Sequence, residues 1–258
     1  LHALHLDGTD GRVPDVPAGR MLTGAFRSSR RLGVRCGWAA VLPPDLDLAD
    51  AADVPIVLAL HGRGSTHADV VERSGLGLGF VVADAVRRGG RGLVVAAVDG
   101  GDTYWHPRAT GEDAGAMVLE EFVPLLRSRG LRGPLLPWGW SMGGYGALRL
   151  AGLLGAAQAP AVGALSPALF RSIGEASPGS FDDAADLAAH TVLGRQADLT
   201  GIAVRVDCGA GDPFSGAVEE YRDGFDPRPA GGLELGDHDL GYWRRLAPAQ
   251  LAFLAAHA

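Results

Sequence analysis

The stretch Gly139-Trp140-Ser141-Met142-Gly143 places one hydroxyl between two glycines. A serine hydroxyl is a weak nucleophile at neutral pH. It needs a general base, and the base needs a carboxylate to orient it. The pattern Gly-x-Ser-x-Gly carries this chemistry where a strand turns sharply into a helix and lifts the hydroxyl above the sheet. That context is present: the apolar run "GPLLPWGW" precedes the serine and the Ala/Leu-rich "SMGGYGALRLAGLLGAA" follows it. The glycines allow the tight turn, and the helix directs its positive N-terminal end at an anion formed on Ser141. The competing reading is a small residue in a tight turn with no chemistry.

On this topology the nucleophile is followed first by the acid and then by the histidine. Three histidines lie downstream: His190, His238 and His257. His257 is the penultimate residue and reads as solvated. His190 falls in an irregular segment with no strand end beneath it. His238, in "LELGDHDLGYW", follows a short strand and precedes the last helix, so it is the expected base. The expected carboxylate is Asp212, in the turn of "VRVDCGAGDPF", rather than Asp207 inside the apolar run. Asp237 and Asp239 flank His238, but adjacent side chains point different ways. Every one of these aspartates also suits a turn or a helix N-cap.

An oxyanion needs two backbone N–H donors. Met142, after the nucleophile, is one. The loop "LHGRGST" supplies the other, at Arg63 or alternatively Gly64. His61 in that loop reads as a buried structural histidine. Tyr104, Trp105 and His106 sit in "DGGDTYWHPRATGEDAGA", a long segment expected to line the cleft rim and hold an acyl or sugar group. Aromatic packing under a loop is the equal alternative. Trp140, within the serine motif, is a further candidate substrate contact.

The elements that must position these residues alternate. "GRMLTGAFRSS" and "LGVRCGWAAVLPP" read as a strand pair. "VPIVLALHG", "GLVVAAVDGG", "GPLLPWGW", "PAVGALSPAL", "IAVRVDCGAGDP" and "GGLELGDHD" read as further strands. Helices are expected in "ADVVERSGLGLGFVVADAVRRGG", broken by glycines, and in "DAGAMVLEEFVPLLRSRG", with Met117, Val118, Phe122, Leu125 and Leu126 on one face. The stretch after Ser141 and "GYWRRLAPAQLAFLAAHA" are further helices, and one short helix is expected near "FDDAADLAAH" in the otherwise irregular 171–200. Continuous apolar runs between helices imply a mostly parallel sheet of an α/β protein. Residues 1–20 read as an irregular arm, 21–258 as a single domain, and 171–200 as a candidate small lid.

The 258 residues are 47% hydrophobic, enough for one substantial core. The net charge of −7, with no basic block, argues against a nucleic-acid partner. All 23 basic residues are arginine, a compositional bias rather than a functional signal. No apolar run approaches the roughly 20 residues of a membrane span. Two cysteines, Cys36 and Cys208, rule out a disulfide scaffold and a cysteine-rich zinc site.

Taken in order, "LHGRGST", "GWSMGGYGAL", "CGAGDPF" and "GDHDLGYW" resemble the α/β-hydrolase fold, and within it the esterase D / antigen 85 mycolyltransferase-like branch. The resemblance spans roughly residues 21–258. It departs at Asp237, where that branch usually has glycine, and it lacks a match to mycolyltransferase sugar-binding features. It implies a twisted, mostly parallel sheet of about eight strands flanked by helices. It also implies Ser141 as nucleophile, His238 as base and Asp212 as acid in ester hydrolysis or acyl transfer, with no metal or organic cofactor. The expected partner is a small-molecule ester. The strand order it implies sets Cys36 and Cys208 towards opposite sheet edges, hence two buried free thiols. Relatives of this kind often carry an export signal. With the start at Leu1, this gives the expectation of an exported protein, the cytoplasm being the alternative. The leading function is a serine esterase working through an acyl-enzyme. The alternatives are an acyltransferase to a hydroxyl acceptor and a non-catalytic binding module.

Overall fold

The computed structural model describes residues 8–258. The arm expected over 1–20 is irregular across 8–20; its first seven residues lie outside the described residues. The arm is tied down by the Gly11 N–H donating to Gly241 O and by Arg73 donating to the carbonyls of Pro14 and Val16.

The chain then alternates between sheet and helix. β1 (Met21–Arg27) and β2 (Arg35–Val41) form the expected antiparallel pair. β3 (Ile56–Leu60), α1 (His67–Val71), α2 (Leu78–Arg87) and β4 (Val94–Val98) follow. Next come α3 (Ala114–Met117), a π-helical turn at Val118–Phe122, and α4 (Val123–Ser128). β5 (Leu135–Trp140) leads into α5 (Met142–Leu154), then β6 (Ala161–Leu165) and α6 (Ala184–His190). A 3-10 turn at Gln196–Leu199, β7 (Ala203–Gly209), α7 (Ser215–Asp223), β8 (Leu233–Glu234) and α8 (Leu240–Ala256) complete the chain.

The eight strands make one sheet in the order β1-β2-β4-β3-β5-β6-β7-β8. β2 runs antiparallel to β1 and β4; the pairs from β4 to β8 are parallel. This is the mostly parallel, helix-flanked sheet of about eight strands that the resemblance implied. The central strands alternate between two cores. Ile56, Leu58 and Leu60 join the core with Trp38, Trp105, Phe122 and Tyr145, whereas Val57 and Ala59 join the one with Trp138, Val82 and Leu251. Period-two side chains on a strand covered on both faces produce this split. Among the described residues no helix is long and apolar enough to cross a membrane.

Two elements depart from expectation. The helix expected over Asp113–Gly130 is interrupted by the π-helical turn, which ends two residues before Pro124. Proline lacks the N–H that would continue the ladder, so the chain widens there. Met117, Val118, Phe122 and Leu126 are still buried, while Leu125 is only partly so. The last strand is much shorter than "GGLELGDHD" suggests, with ladder pairing only at Leu233 and Glu234 plus one isolated bridge from Ala230 to Arg205. Cys36 on β2 and Cys208 on β7 are free and buried, as expected.

Candidate active site

Ser141 ends β5 and opens α5 with φ 55° and ψ −122°. For a residue with a Cβ this backbone carries strain of about 1–3 kcal/mol and persists only when the surroundings hold it. They do so from both sides. The Ser141 N–H donates to Leu165 O at 3.0 Å, and Ser141 O accepts from Tyr145 N at 3.1 Å and Ala168 N at 3.0 Å. The flanking glycines are required by close backbone approach. A Cβ on Gly143 would sit 2.0 Å from Leu60 O, and one on Gly139 would sit 2.3 Å from Gly143 O.

His238 lies between β8 and α8. Its Nε2 stands 3.0 Å from Ser141 Oγ and its Nδ1 stands 2.7 Å from Asp212 Oδ2. Asp212 follows β7, is 2% exposed, and accepts the Phe214 N–H at 2.8 Å on its other oxygen. Both of its oxygens therefore have partners, which a buried carboxylate needs. The neighbouring acids serve elsewhere. Asp237 accepts the backbone N–H of His238, and Asp239 caps α8 by accepting the Tyr242 N–H at 2.8 Å. Asp207 is buried and paired with Arg205 and Gln250. Of the other histidines, His257 faces Phe253 O at the end of α8, and His190 faces Asp186.

The imidazole of His238 is held edge-on between two aromatic rings, Phe214 with centroids 5.2 Å apart and Trp243 at 5.0 Å. Neither was singled out from sequence. The signal was present for Trp243, because the residue before an N-cap packs against the fourth helical residue after it, here His238 against Trp243.

The loop after β3 approaches the same place. The Gly64 N–H donates to Asp102 Oδ1 at 2.7 Å, so of the two candidate donors in this loop it is already engaged. Arg63 is exposed, and Met142 is fully buried at the start of α5. His61 has no exposed surface; its Nδ1 donates to Gly62 O at 2.8 Å and its Nε2 accepts the Gly100 N–H at 3.0 Å. Burial drives its pKa below the ordinary histidine value despite the Gly62 carbonyl and nearby aspartates. It is a neutral tie between the β3 and β4 loops.

Of the two readings of the aromatic segment after β4, the burial of its rings agrees with packing under the loop. Trp105 and His106 have no exposed surface, and Tyr104 and Trp140 retain only 3% each. Trp105 fits a slot that only glycines leave open: a Cβ on Gly100 or Gly146 would lie 2.3 or 2.6 Å from its ring. The positive φ of Tyr104 and Trp105, 57° and 55°, turns the chain into that slot. Trp140 packs between Trp138 and Trp243. His106 stacks on Phe181 and His190 of the 171–200 segment. Packing, rather than substrate contact, accounts for Trp105, His106 and Trp140. Tyr104 shares an aromatic cluster with Phe170, Phe181 and Tyr145, and Phe170 in turn meets Phe214 beside the histidine.

The chain matches no family model and no curated protein. It is similar in structure to solved α/β-hydrolase enzymes. One is a ferulic acid esterase, 19% identical, covering 95% of this chain and 100% of that one with a TM-score of 0.78. Another is fluorophosphonate-binding serine hydrolase F of Staphylococcus aureus, 15% identical over 92% and 99% of the two chains, TM-score 0.74. A third is a CE1 ferulic acid esterase from Anaeromyces mucronatus, 17% identical over 93% of each chain, TM-score 0.69. At these identities the likeness establishes the fold.

Proposed function

We propose that the protein is a serine esterase that hydrolyses carboxylic esters through an acyl-enzyme. The observation that carries this reading is the chain of contacts from Ser141 through His238 to Asp212, at 3.0 and 2.7 Å, on a strained strand-to-helix turn. In this mechanism Ser141 Oγ attacks the ester carbonyl while His238 Nε2 takes its proton. Asp212 holds the Nδ1–H tautomer and stabilises the imidazolium that forms. The N–H groups of Met142 and Arg63 receive the oxyanion, and the N-terminus of α5 adds its dipole. His238 then returns the proton to the leaving alkoxide. Water, deprotonated by the same histidine, releases the acid.

The substrate class follows from the surroundings. Phe214 and Trp243, both partly exposed, flank the imidazole with aromatic surface, and two of the structural relatives are ferulic acid esterases. Small and medium acyl esters, aryl acyl groups among them, are the substrates proposed.

The test is hydrolysis of p-nitrophenyl esters from acetyl to palmitoyl, together with methyl ferulate, by wild type and Ser141→Ala. The nucleophile variant should lose roughly three or more orders of magnitude in kcat. Wild-type rates no higher than those of the variant on every ester would overturn the reading.

A further inference from the structure

Outside the serine site, His106, Asp186 and His190 bring their ligand-type atoms within 4.8 Å of one another. The three come from two elements. His106 is on the loop after β4, while Asp186 and His190 are one helical turn apart on α6, so both project from one face. Each carboxylate oxygen faces one ring: Oδ1 is 2.7 Å from His190 Nδ1, and Oδ2 is 3.2 Å from His106 Nε2 while also accepting the Asp182 N–H at 2.8 Å.

The protons in this cluster do not balance. His106 Nδ1 lies 3.0 Å from Tyr104 O. A carbonyl only accepts, so Nδ1 carries the proton and the neutral ring has a lone pair at Nε2. That lone pair points at a carboxylate oxygen, which is also an acceptor. Charging the ring would satisfy both, but it would place an imidazolium where His106 has no exposed surface. A cation between the two atoms satisfies both without protonating the ring. The Tyr104 carbonyl bond is also the kind of outer contact that fixes a metal-binding histidine in the tautomer it needs.

We propose that the imidazoles of His106 and His190 and the carboxylate of Asp186 bind one zinc-type divalent cation that fastens α6 to the loop after β4. Two imidazoles and a carboxylate suit zinc or its neighbours better than calcium or magnesium, which take oxygen ligands. Tetrahedral bonds of about 2.0–2.1 Å set neighbouring ligand atoms roughly 3.3 Å apart. With Oδ2 as the carboxylate ligand, its 3.2 Å separation from His106 Nε2 already matches, and the three ligand atoms, all within 4.8 Å of one another, draw in around the ion. Ligation through His190 Nδ1 requires the ring proton to move to Nε2, with no net proton lost. Water takes the fourth position. His190 alone of the three also lines a cavity of about 290 Å³, with Arg149, Thr191, Arg195 and Asp198. The cation would secure α6 in the middle of the 171–200 segment, whose Phe181 belongs to the aromatic cluster that reaches Phe214 at the serine site.

The experiment is metal titration of the purified chain, free of any affinity tag and stripped with EDTA. Cobalt(II) chloride should bind with one equivalent and give the visible d–d bands of tetrahedral nitrogen and oxygen coordination. Zinc chloride should displace it and raise the thermal unfolding midpoint. Asp186→Asn and His190→Gln should abolish the bands and the zinc-dependent shift, whereas Ser141→Ala should retain both. Wild-type protein that takes up no stoichiometric cobalt or zinc at millimolar concentration overturns the proposal, whatever the variants do. So does uptake by folded Asp186→Asn equal to that of wild type. Neither result bears on ester hydrolysis, which is read separately.

Discussion

Oδ2 of Asp212 lies 2.7 Å from Nδ1 of His238, and the Asp212 side chain has no exposed surface. Because the contact is buried, the carboxylate acts on one ring nitrogen and not on solvent. Replacing it with asparagine keeps the shape and the acceptor for the Phe214 N–H, but the new amide can donate to Nδ1 and favour the wrong tautomer. Asp212→Asn should therefore lower kcat by about three to four orders of magnitude with little change in fold. Steady-state rates on p-nitrophenyl acetate, with circular dichroism as control, check this. A loss of less than tenfold would remove Asp212 from the proposed mechanism.

The turn at Ser141 depends on missing side chains as much as on present ones. A Cβ at Gly143 would lie 2.0 Å from Leu60 O and 2.5 Å from Leu60 C, and backbone cannot rotate away as a side chain can. Gly143→Ala should cost about 3 kcal/mol or prevent folding. Gly152→Ala, later in the same helix, meets only Asp198 Cβ at 3.2 Å, and alanine's better helix propensity offsets that contact. Its unfolding free energy from urea titration should stay within about 1 kcal/mol of wild type. Equal behaviour of the two variants would refute the steric account.

These sites also mark what can be read from a chain. The strand-to-helix position of Ser141 was legible because apolar periodicity and glycine punctuation are local. His238 and Asp212 were legible through chain order and turn residues. For Trp105 and His106 the sequence left cleft lining and packing equally open, because the choice depends on slots made by Gly100, Gly146 and the 171–200 segment, which are distant in sequence. The length of β8 was overread for the same reason: alternation in "GGLELGDHD" is a local signal, whereas a ladder needs a partner edge. The pairing of His106 with Asp186 spans 80 residues and leaves no periodic trace.

His61 makes stability depend on pH. In the folded chain it is neutral, accepts the Gly100 N–H, and has its pKa lowered by burial. In the unfolded chain it titrates near 6.5. Between the folded and unfolded values the unfolded state binds more protons, so stability rises with pH across that window. The contribution is complete above the unfolded value and is lost as pH falls below it, with a slope of at most about 1.4 kcal/mol per pH unit. Urea midpoints should fall from about pH 7.5 to 5.5, and fall less steeply in His61→Gln. A slope unchanged by the substitution would assign the effect to other groups.

Arg222 on α7 does much of what a longer β8 would do. It is 4% exposed, and its guanidinium donates to Val206 O at 2.6 Å, Ala230 O at 3.0 Å, Pro229 O at 3.3 Å and Gly231 O at 3.0 Å. Val206 is on β7; the other three carbonyls precede β8, which then leads to His238. A planar fork can reach four carbonyls, whereas a lysine ammonium is a single point with three donors and leaves some of them buried without partners. Arg222→Lys should cost about 2–3 kcal/mol in urea unfolding. Because the same segment delivers His238, kcat should also drop, by roughly tenfold, since small misplacements of a catalytic group are amplified in rate. Full stability with reduced rate would separate the two effects and argue against the clamp. Reduced stability with an unchanged rate would mean that α8, through the Asp239 cap and Trp243, suffices to hold the imidazole.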